Sequence, residues 1–367
     1  MRAGTRRHRP WPSAELRCPT LSELPPPPAG RTGWPWTEET EQLPDAISGA
    51  ERWPRVSVVT PSYNQGQYIE ECIRSVLLQG YPDLEYIIMD GGSTDGSVDV
   101  IGKYRRWLAY TASGPDGGQT RAINDGWARS TGDVLAYINT DDCYLEGAVA
   151  TAARAVASTP GAGMVYGNAT IVDESGHEMR TWQARPFSLT AMLTDGSVVP
   201  QPTVFFTRTA LASVGNLDEQ WHMIMDYELT IRVGMGFRSV CLTDTLARFR
   251  DHSRSKSRTQ FRRLAAELIR LLSDLETRPG TTDGVRQVKQ LTLSRIHYEW
   301  AMACLAKADA EGAAARHLRQ SLRLHPRYAF LRPIQTAYIG KEVVRRHVGS
   351  RRPFRSPVKN CADPWQK

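Results

Sequence analysis

The chain has 367 residues, a formal net charge of +7 and a pI near 9.1, with 41% hydrophobic and 23% charged residues. This composition excludes a disordered or fibrous protein and fits one large globular domain with an appendage, or two domains. No stretch approaches the roughly 18 apolar residues that a membrane-spanning helix needs.

Residues 1 to 53 are rich in Pro, Arg and Trp, with the run Pro25-Pro26-Pro27-Pro28 and no period, and predict an extended or partly disordered arm. The cluster Trp34-Pro35-Trp36 is too apolar for a plain linker and is expected to pack on the domain that follows. Val56-Ser-Val-Val-Thr60 reads as a strand, ended by Pro61-Ser-Tyr-Asn64. Tyr68 to Gln79 has helical spacing through Ile69, Cys72, Ile73, Val76 and Leu77. Leu84 to Met89 is a second strand, ended by Asp90-Gly-Gly-Ser-Thr-Asp-Gly96, with a helix from Val98 to about Trp107. Tyr110-Thr111 is a short third strand before Pro115-Asp-Gly-Gly118, and Gln119 to Ala128 is helical. The apolar run Val134 to Ile138 is a buried strand that ends in the adjacent carboxylates Asp141 and Asp142. Strands and helices alternating at this spacing predict an α/β fold with a doubly wound, parallel sheet, whose ligands bind at the carboxyl ends of the strands. Further on come a strand at Met164–Tyr166, an apolar patch at Val204-Phe205-Phe206 and a helix from Met225 to Met235. From Thr259 the pattern is nearly all helical, and His297 to Pro326 resembles one tetratricopeptide-type hairpin turning at Lys307-Ala308-Asp309.

The positive charge is clustered. Arg248 to Arg270 holds eight Lys/Arg against Asp251 and Glu267, and Lys341 to Lys367 holds eight against Glu342 and Asp363. Such segments favour phosphates, an anionic membrane surface or nucleic acid, although a solvated helix face and a loose tail look the same. The six cysteines show no CxxC or zinc-ligand spacing, which fits a reducing compartment. The basic N-terminus lacks an apolar core for a secretory signal. Together these predict a cytoplasmic protein, with peripheral contact at the inner face of the membrane through the 248–270 segment.

Each polar loop has a plain structural alternative beside a functional one. The loop from Asp90 to Gly96 is either an ordinary strand-to-helix turn, with Ser93, Thr94 or Asp95 capping the helix, or part of a nucleotide site with Ser93, in which Asp90 or Asp95 accepts hydrogen bonds from a base or ribose. The loop is neither a Walker A nor a GxGxxG motif. Pro61, Tyr63 and Asn64 are a simple turn or the edge of a nucleobase site. Asp116, with Gln119, Arg121 and Asn124 behind it, is a surface loop or a third wall of a nucleotide pocket. Asp141 and Asp142 either cap the next helix or share a divalent cation, since hard cations take oxygen ligands. Asp226 opens a helix, where the dipole favours an acid, or serves as a general base. His252 sits in a basic, Ser-rich loop suited to a diphosphate–metal unit, though a lone His is more often no ligand. Gln201-Pro202-Thr203 and Trp221-His222 fit an acceptor side or simple burial.

Five motifs in order carry a resemblance: Val56-Ser-Val-Val-Thr-Pro-Ser-Tyr-Asn64, Asp90-Gly-Gly-Ser-Thr-Asp-Gly-Ser97, Pro115-Asp-Gly-Gly-Gln119, Asn139-Thr-Asp-Asp142 and Met225-Asp-Tyr-Glu-Leu229. Over residues 54–258 the chain resembles a family 2 glycosyltransferase of the GT-A fold. The resemblance implies an inverting enzyme that uses a nucleotide-sugar donor, UDP being favoured, with Mg²⁺ or Mn²⁺ as cofactor. It implies a glycan or lipid-linked acceptor, no nucleic-acid partner, and a setting in polysaccharide or glycoconjugate synthesis. Asn64, Asp90 and Asp116 would line the nucleotide pocket, Asp142 with Asp141 would bind metal beside His252, and Asp226 would be the catalytic base. Two departures stand out: Met225 replaces a common Glu, and Glu228 replaces a common Asp.

The expected plan is an arm (1–53), a GT-A domain (54–258), a helical region (259–345) and a basic tail (346–367). A non-catalytic GT-A-like binding module with a helical partner platform is the alternative, and it would have no need of Asp142 and Asp226 together. A nucleotidyltransferase would show a Gly/Lys/Arg-rich phosphate loop, for which Arg55 is a poor substitute.

Overall fold

The computed structural model describes residues 17–47, 51–278, 280, 282–306 and 311–326. The turn at Lys307-Ala308-Asp309 and the basic tail lie outside these residues. In chain order the elements are β1 (Ala46–Ile47), β2 (Glu51–Arg52), β3 (Val56–Ser62), α1 (Ile69–Leu77), β4 (Leu84–Asp90), α2 (Ser97–Tyr104), β5 (Tyr110–Ser113), α3 (Gln119–Arg129), β6 (Val134–Tyr137), β7 (Cys143–Tyr144) and α4 (Ala148–Ala157). They continue as β8 (Ala162–Val172), β9 (Glu178–Trp182), α5 (Leu189–Asp195), β10 (Phe205–Thr207), α6 (Arg208–Val214), α7 (Met225–Gly236), β11 (Arg238–Arg250), α8 (Lys256–Thr259), α9 (Phe261–Thr277), α10 (Thr282–Ala306) and α11 (Glu311–Leu324).

A nine-stranded sheet runs β5-β4-β3-β6-β10-β8-β11-β7, with β9 added beside β8. Its first half, β5-β4-β3-β6, is parallel as expected. Every residue of β3 and β4 is buried, because helices cover both faces of a parallel sheet. The second half is mixed: β10 is antiparallel to β6 and β8, whereas β11 runs parallel to β8 and antiparallel to β7. β11 was not expected from the sequence. Its pairing with β8 contains three register shifts, which break the alternation that marks a strand. The expected strand at Met164–Tyr166 is the middle of the longer β8.

The core formed between the sheet and α1, α2 and α4 also takes in Cys18, Leu24, Trp34 and Trp53. The N-terminal segment therefore packs on the domain, as the Trp-Pro-Trp cluster suggested. Trp34 Nε1 donates to the Tyr144 carbonyl at 2.8 Å, and the Cys18 N–H donates to the Tyr81 carbonyl at 3.2 Å.

On the opposite face α3 lies close against β3 because Gly126 has no side chain. A Cβ there would come within 2.6 Å of Val59 Cγ1 and 2.9 Å of Cγ2. Val59 is fully buried and neither methyl can yield. Gly126→Ala is expected to lose about 1–3 kcal/mol through overpacking, against a helix-propensity gain of about 0.5–1 kcal/mol, for a net destabilisation. A urea midpoint equal to or above the wild type would contradict this.

Contacts divide the chain into two compact units, which meet in sequence between Thr292 and Leu293. Within the second, Ser294 Oγ donates to the Ser321 carbonyl at 2.9 Å and the Trp300 and His317 rings stack at 4.1 Å, so the two helices of the expected hairpin pair with each other. Among the described residues there is no disulfide, and no helix is long and apolar enough to cross a membrane.

Candidate active site

The carboxyl ends of β3, β4 and β6, the start of α7 and the loop after β11 surround one cleft of about 900 Å³. Of the residues singled out from the sequence, Pro61, Tyr63, Asp116, Gln119, Asp141, Asp142 and Asp226 form its wall. Tyr63 is 64% exposed there, an unusual position for a large ring and an open face for a planar ligand. Asp116 holds its own glycine loop by accepting the Gly118 N–H at 2.8 Å.

Asn64, Asp90, Ser93, Asp95, Arg121, Asn124 and His252 are not on the wall. Several shape it from behind. Asp90 is 2% exposed and accepts hydrogen bonds from the Gly92 N–H, the Ser93 N–H and hydroxyl and the Ser113 hydroxyl, at 2.6–3.1 Å. Burial alone would raise its pKa, but these donors hold the carboxyl below the ordinary range. Asp95 accepts from Ser97 at the start of α2 and from the Gly66 N–H, which joins the loops after β3 and β4. Among the described residues Asn64 is the one non-glycine with a left-handed backbone, at φ 51°. Its side chain accepts the Thr94 N–H at 2.9 Å while its own N–H donates to Ser93 Oγ at 2.8 Å. Asn124 is engaged at both ends of its amide by the Leu217 backbone. Arg121 lies on the outer side of the Gly117 turn, exposed.

Asp141 and Asp142 occupy the tight turn after β6. Asp142 is 3% exposed and takes the Arg250 N–H on Oδ1 at 2.9 Å. Asp141 receives Gln65 Nε2 at 3.3 Å and faces His252 Nε2 at 3.0 Å. His252 thus stands behind Asp141, and its buried Nδ1 has no partner among the described residues. Burial and the neighbouring Asp141 both push the Asp142 carboxyl well above the usual range. Among the described residues no three His, Cys, Asp or Glu side chains are gathered closely enough to hold an ion as they stand. The donor set nonetheless fits a divalent cation: two adjacent carboxylates at a cleft, one kept from ionising easily by burial and by the other, are what an added positive charge would relieve.

Asp226 lies in the first turn of α7 and lines the cleft. Burial raises its pKa, while N–H groups at the helix start and the nearby Lys256 pull it back. Lys256 links this side to the floor: Nζ donates to Gln119 Oε1 at 3.1 Å and to the His222 carbonyl, Gln119 Nε2 donates to Asn139 Oδ1 at 2.7 Å, and Asn139 Nδ2 donates to Gln201 Oε1 at 3.0 Å. Gln201 and His222 therefore do reach the cleft, whereas Trp221 is buried beneath Arg270. Of the two departures from the family pattern, Met225 lies on the cleft wall, whereas Glu228 does not and pairs with Arg232 at 2.7 Å and with Arg278 at 3.1 Å.

Sequence reasoning assigned no role to Arg250, Trp182 or Phe249. Arg250 is buried, paired with Glu71 at 2.9 Å and placed over the Tyr68 ring, and it ties β11 to the aspartate turn. A basic residue two positions before His252 was the available signal. Arg250 and Lys256 both face inward, which removes two of the eight cations counted in the 248–270 segment from any membrane-facing surface.

A fold with a parallel half-sheet, and loops converging on a cleft lined by a carboxylate pair, is that of the GT-A transferases. The chain belongs to glycosyl transferase family 2, whose family model matches residues 57–212. An uncharacterized glycosyltransferase of Mycobacterium tuberculosis is 31% identical over 202 residues, covering 53% of this chain and 75% of the relative. The O-antigen biosynthesis protein RfbC of Myxococcus xanthus is 26% identical over 202 residues, 16% of its own length. Among solved structures, S. aureus TarS 1–349 in complex with UDP-GlcNAc superposes with a TM-score of 0.53 at 14% identity, over 75% of this chain and 91% of that one. The mannosyltransferase PcManGT of Pyrobaculum calidifontis, in complex with GDP-Man and Mn²⁺, gives 0.51 at 19% identity, over 86% and 92%. At such identities these two share the fold. The protein is a glycosyltransferase.

Proposed function

We propose that this enzyme moves a sugar from a nucleotide-diphosphate sugar, UDP being the favoured nucleotide, to a hydroxyl of a glycan or lipid-linked acceptor with inversion. Polysaccharide or glycoconjugate synthesis is the setting, in keeping with the relative named for O-antigen biosynthesis. The observation that carries this reading is that Asp226 and the Asp141–Asp142 pair line one cleft with the exposed Tyr63 and the Asp116 loop.

The nucleotide lies on the loops after β3, β4 and β5, which Asn64, Asp90 and Asp95 hold rigid. The sugar carbon then faces Asp226, which takes the proton of the attacking hydroxyl as the bond to phosphate breaks on the opposite side. Attack from the Asp226 side, opposite the departing phosphate, inverts the anomeric centre. Asp142 and Asp141 would hold Mg²⁺ or Mn²⁺, with His252 orienting Asp141. Bound there, the ion would supply positive charge to the departing diphosphate.

The test is nucleotide release from UDP-, GDP- and dTDP-sugars, each with Mn²⁺, Mg²⁺ or EDTA, on the wild type and on Asp142→Asn. Slow release from one donor, abolished by EDTA and lowered at least about 100-fold in Asp142→Asn, is the expected result. Well-folded protein that binds no nucleotide in calorimetry would overturn the reading.

A further inference from the structure

Trp182 of β9 and Phe249 of β11 line the cleft on the half of the sheet that carries β8. Their ring centroids are 5.6 Å apart at 85°, edge to face. Strand register brings them together: Trp182 pairs with Ala169 and Phe249 with Ile171, two positions apart on β8, so both side chains leave the same face of the sheet. Both rings are half-buried, and β9 is exposed from Glu178 to Thr181. Trp182 Nε1 donates to the Ser197 carbonyl at 3.3 Å, which anchors the polar edge of the indole. Phe249 directly precedes Arg250, whose N–H is bonded to Asp142, so the aromatic pair adjoins the carboxylates and not the loops after β3 and β4.

Polar side chains share the cleft wall with these rings: Gln65, Asp116, Gln119, Asn139, Gln201 and Arg254 all belong to it. An apolar, rigid surface in such a setting suits a ligand with one apolar face and polar edges. A pyranose ring has that form, with C–H bonds on a face and hydroxyls around the rim. The donor's nucleotide already has Tyr63 and the Asp116 loop, which leaves this end for the other reactant. We propose that Trp182 and Phe249 form the platform for a sugar ring of the acceptor, so that the enzyme extends a glycan and not a ring-free alcohol. This rests on the reading of Asp226 and the aspartate pair as the transfer centre.

The experiment uses the full chain and reads binding directly, by saturation-transfer NMR with methyl β-glucoside, methyl α-mannoside and methyl β-N-acetylglucosaminide. Glycerol and ribitol serve as ring-free controls. At least one pyranoside is expected to receive saturation on its ring C–H protons, and the controls none. Trp182→Ala should weaken that binding about tenfold, with Trp182→Phe retaining most of it and nucleotide affinity unchanged. If Trp182→Ala does not fold, Phe249→Leu carries the same comparison. Three results would each overturn the platform: no pyranoside bound by the wild type, undiminished binding in a folded Trp182→Ala, or an equal loss of nucleotide-sugar affinity, which would put the donor's sugar on the ring. No pyranoside bound by the wild type, with donor hydrolysis intact, rejects the platform alone. Intact sugar binding with no nucleotide released from any donor rejects the transfer centre.

Discussion

Asp226→Asn is expected to lower kcat by about 10²- to 10⁴-fold, while the affinity for the donor stays within about twofold. The amide keeps the size and hydrogen-bonding shape of the side chain but cannot take a proton at neutral pH. The helix start that holds the group is unaffected, so the loss falls on the chemical step. A pH profile adds a second readout. Burial in the cleft holds the Asp226 carboxyl above its usual range. A base works only when ionised, so activity should rise with pH through this raised pKa and level off above it. The acid limb of kcat/KM would then lie above the roughly 3.9 of a free aspartate. Lys256 lowers that pKa, so Lys256→Met should move the limb to still higher pH. Unchanged kcat in Asp226→Asn would remove this residue from the mechanism.

The largest expected effect on stability comes from Arg74, far from the chemistry. Its guanidinium is fully buried and donates to three carbonyls of the N-terminal segment: Pro25 at 2.9 Å, Pro35 at 3.0 Å and Trp36 at 2.9 Å. It also reaches Tyr104 Oη at 3.2 Å, and that hydroxyl donates to Glu70 at 2.8 Å. The ring of Trp36 lies 5.6 Å from the guanidinium carbon. A buried cation is tolerated only when its donors are met, and here the segment before the first sheet strand supplies most of the acceptors. Arg74→Ala would strand those carbonyls and open a hole between α1 and the segment. The expected cost is about 3–5 kcal/mol in urea unfolding. Limited proteolysis should also cut the variant first between residues 17 and 45. A loss below about 1 kcal/mol with unchanged protease resistance would show that the arm is held by other contacts.

Much of this was legible from the chain alone, because the signals are local. Period-two and period-3.6 spacing placed β3, α1, β4, α3 and β6 within a few residues, and glycine- and aspartate-rich runs marked the loops between them. The order of five short motifs was enough to point to the family. The mixed half of the sheet was not legible, since β9 and β11 are defined by their partner β8 and interrupted by register shifts. Trp182 and Phe249 lie 67 positions apart, and only those pairings bring them to one wall.

The sequence by itself determined which carboxylates could meet a substrate, because strand ends and turn residues are written in neighbouring positions. The tertiary structure decided which of them line the cleft. Asp90 and Asp95 sit in the same loop of the same motif; Asp90 is buried and Asp95 exposed, and both are engaged by hydroxyl and N–H donors, Ser113 and Gly66 among them, that arrive from other loops. Asp141, Asp142 and Asp226 keep a place on the cleft wall. The difference is one of competition for hydrogen bonds, and the competitors come from distant parts of the chain.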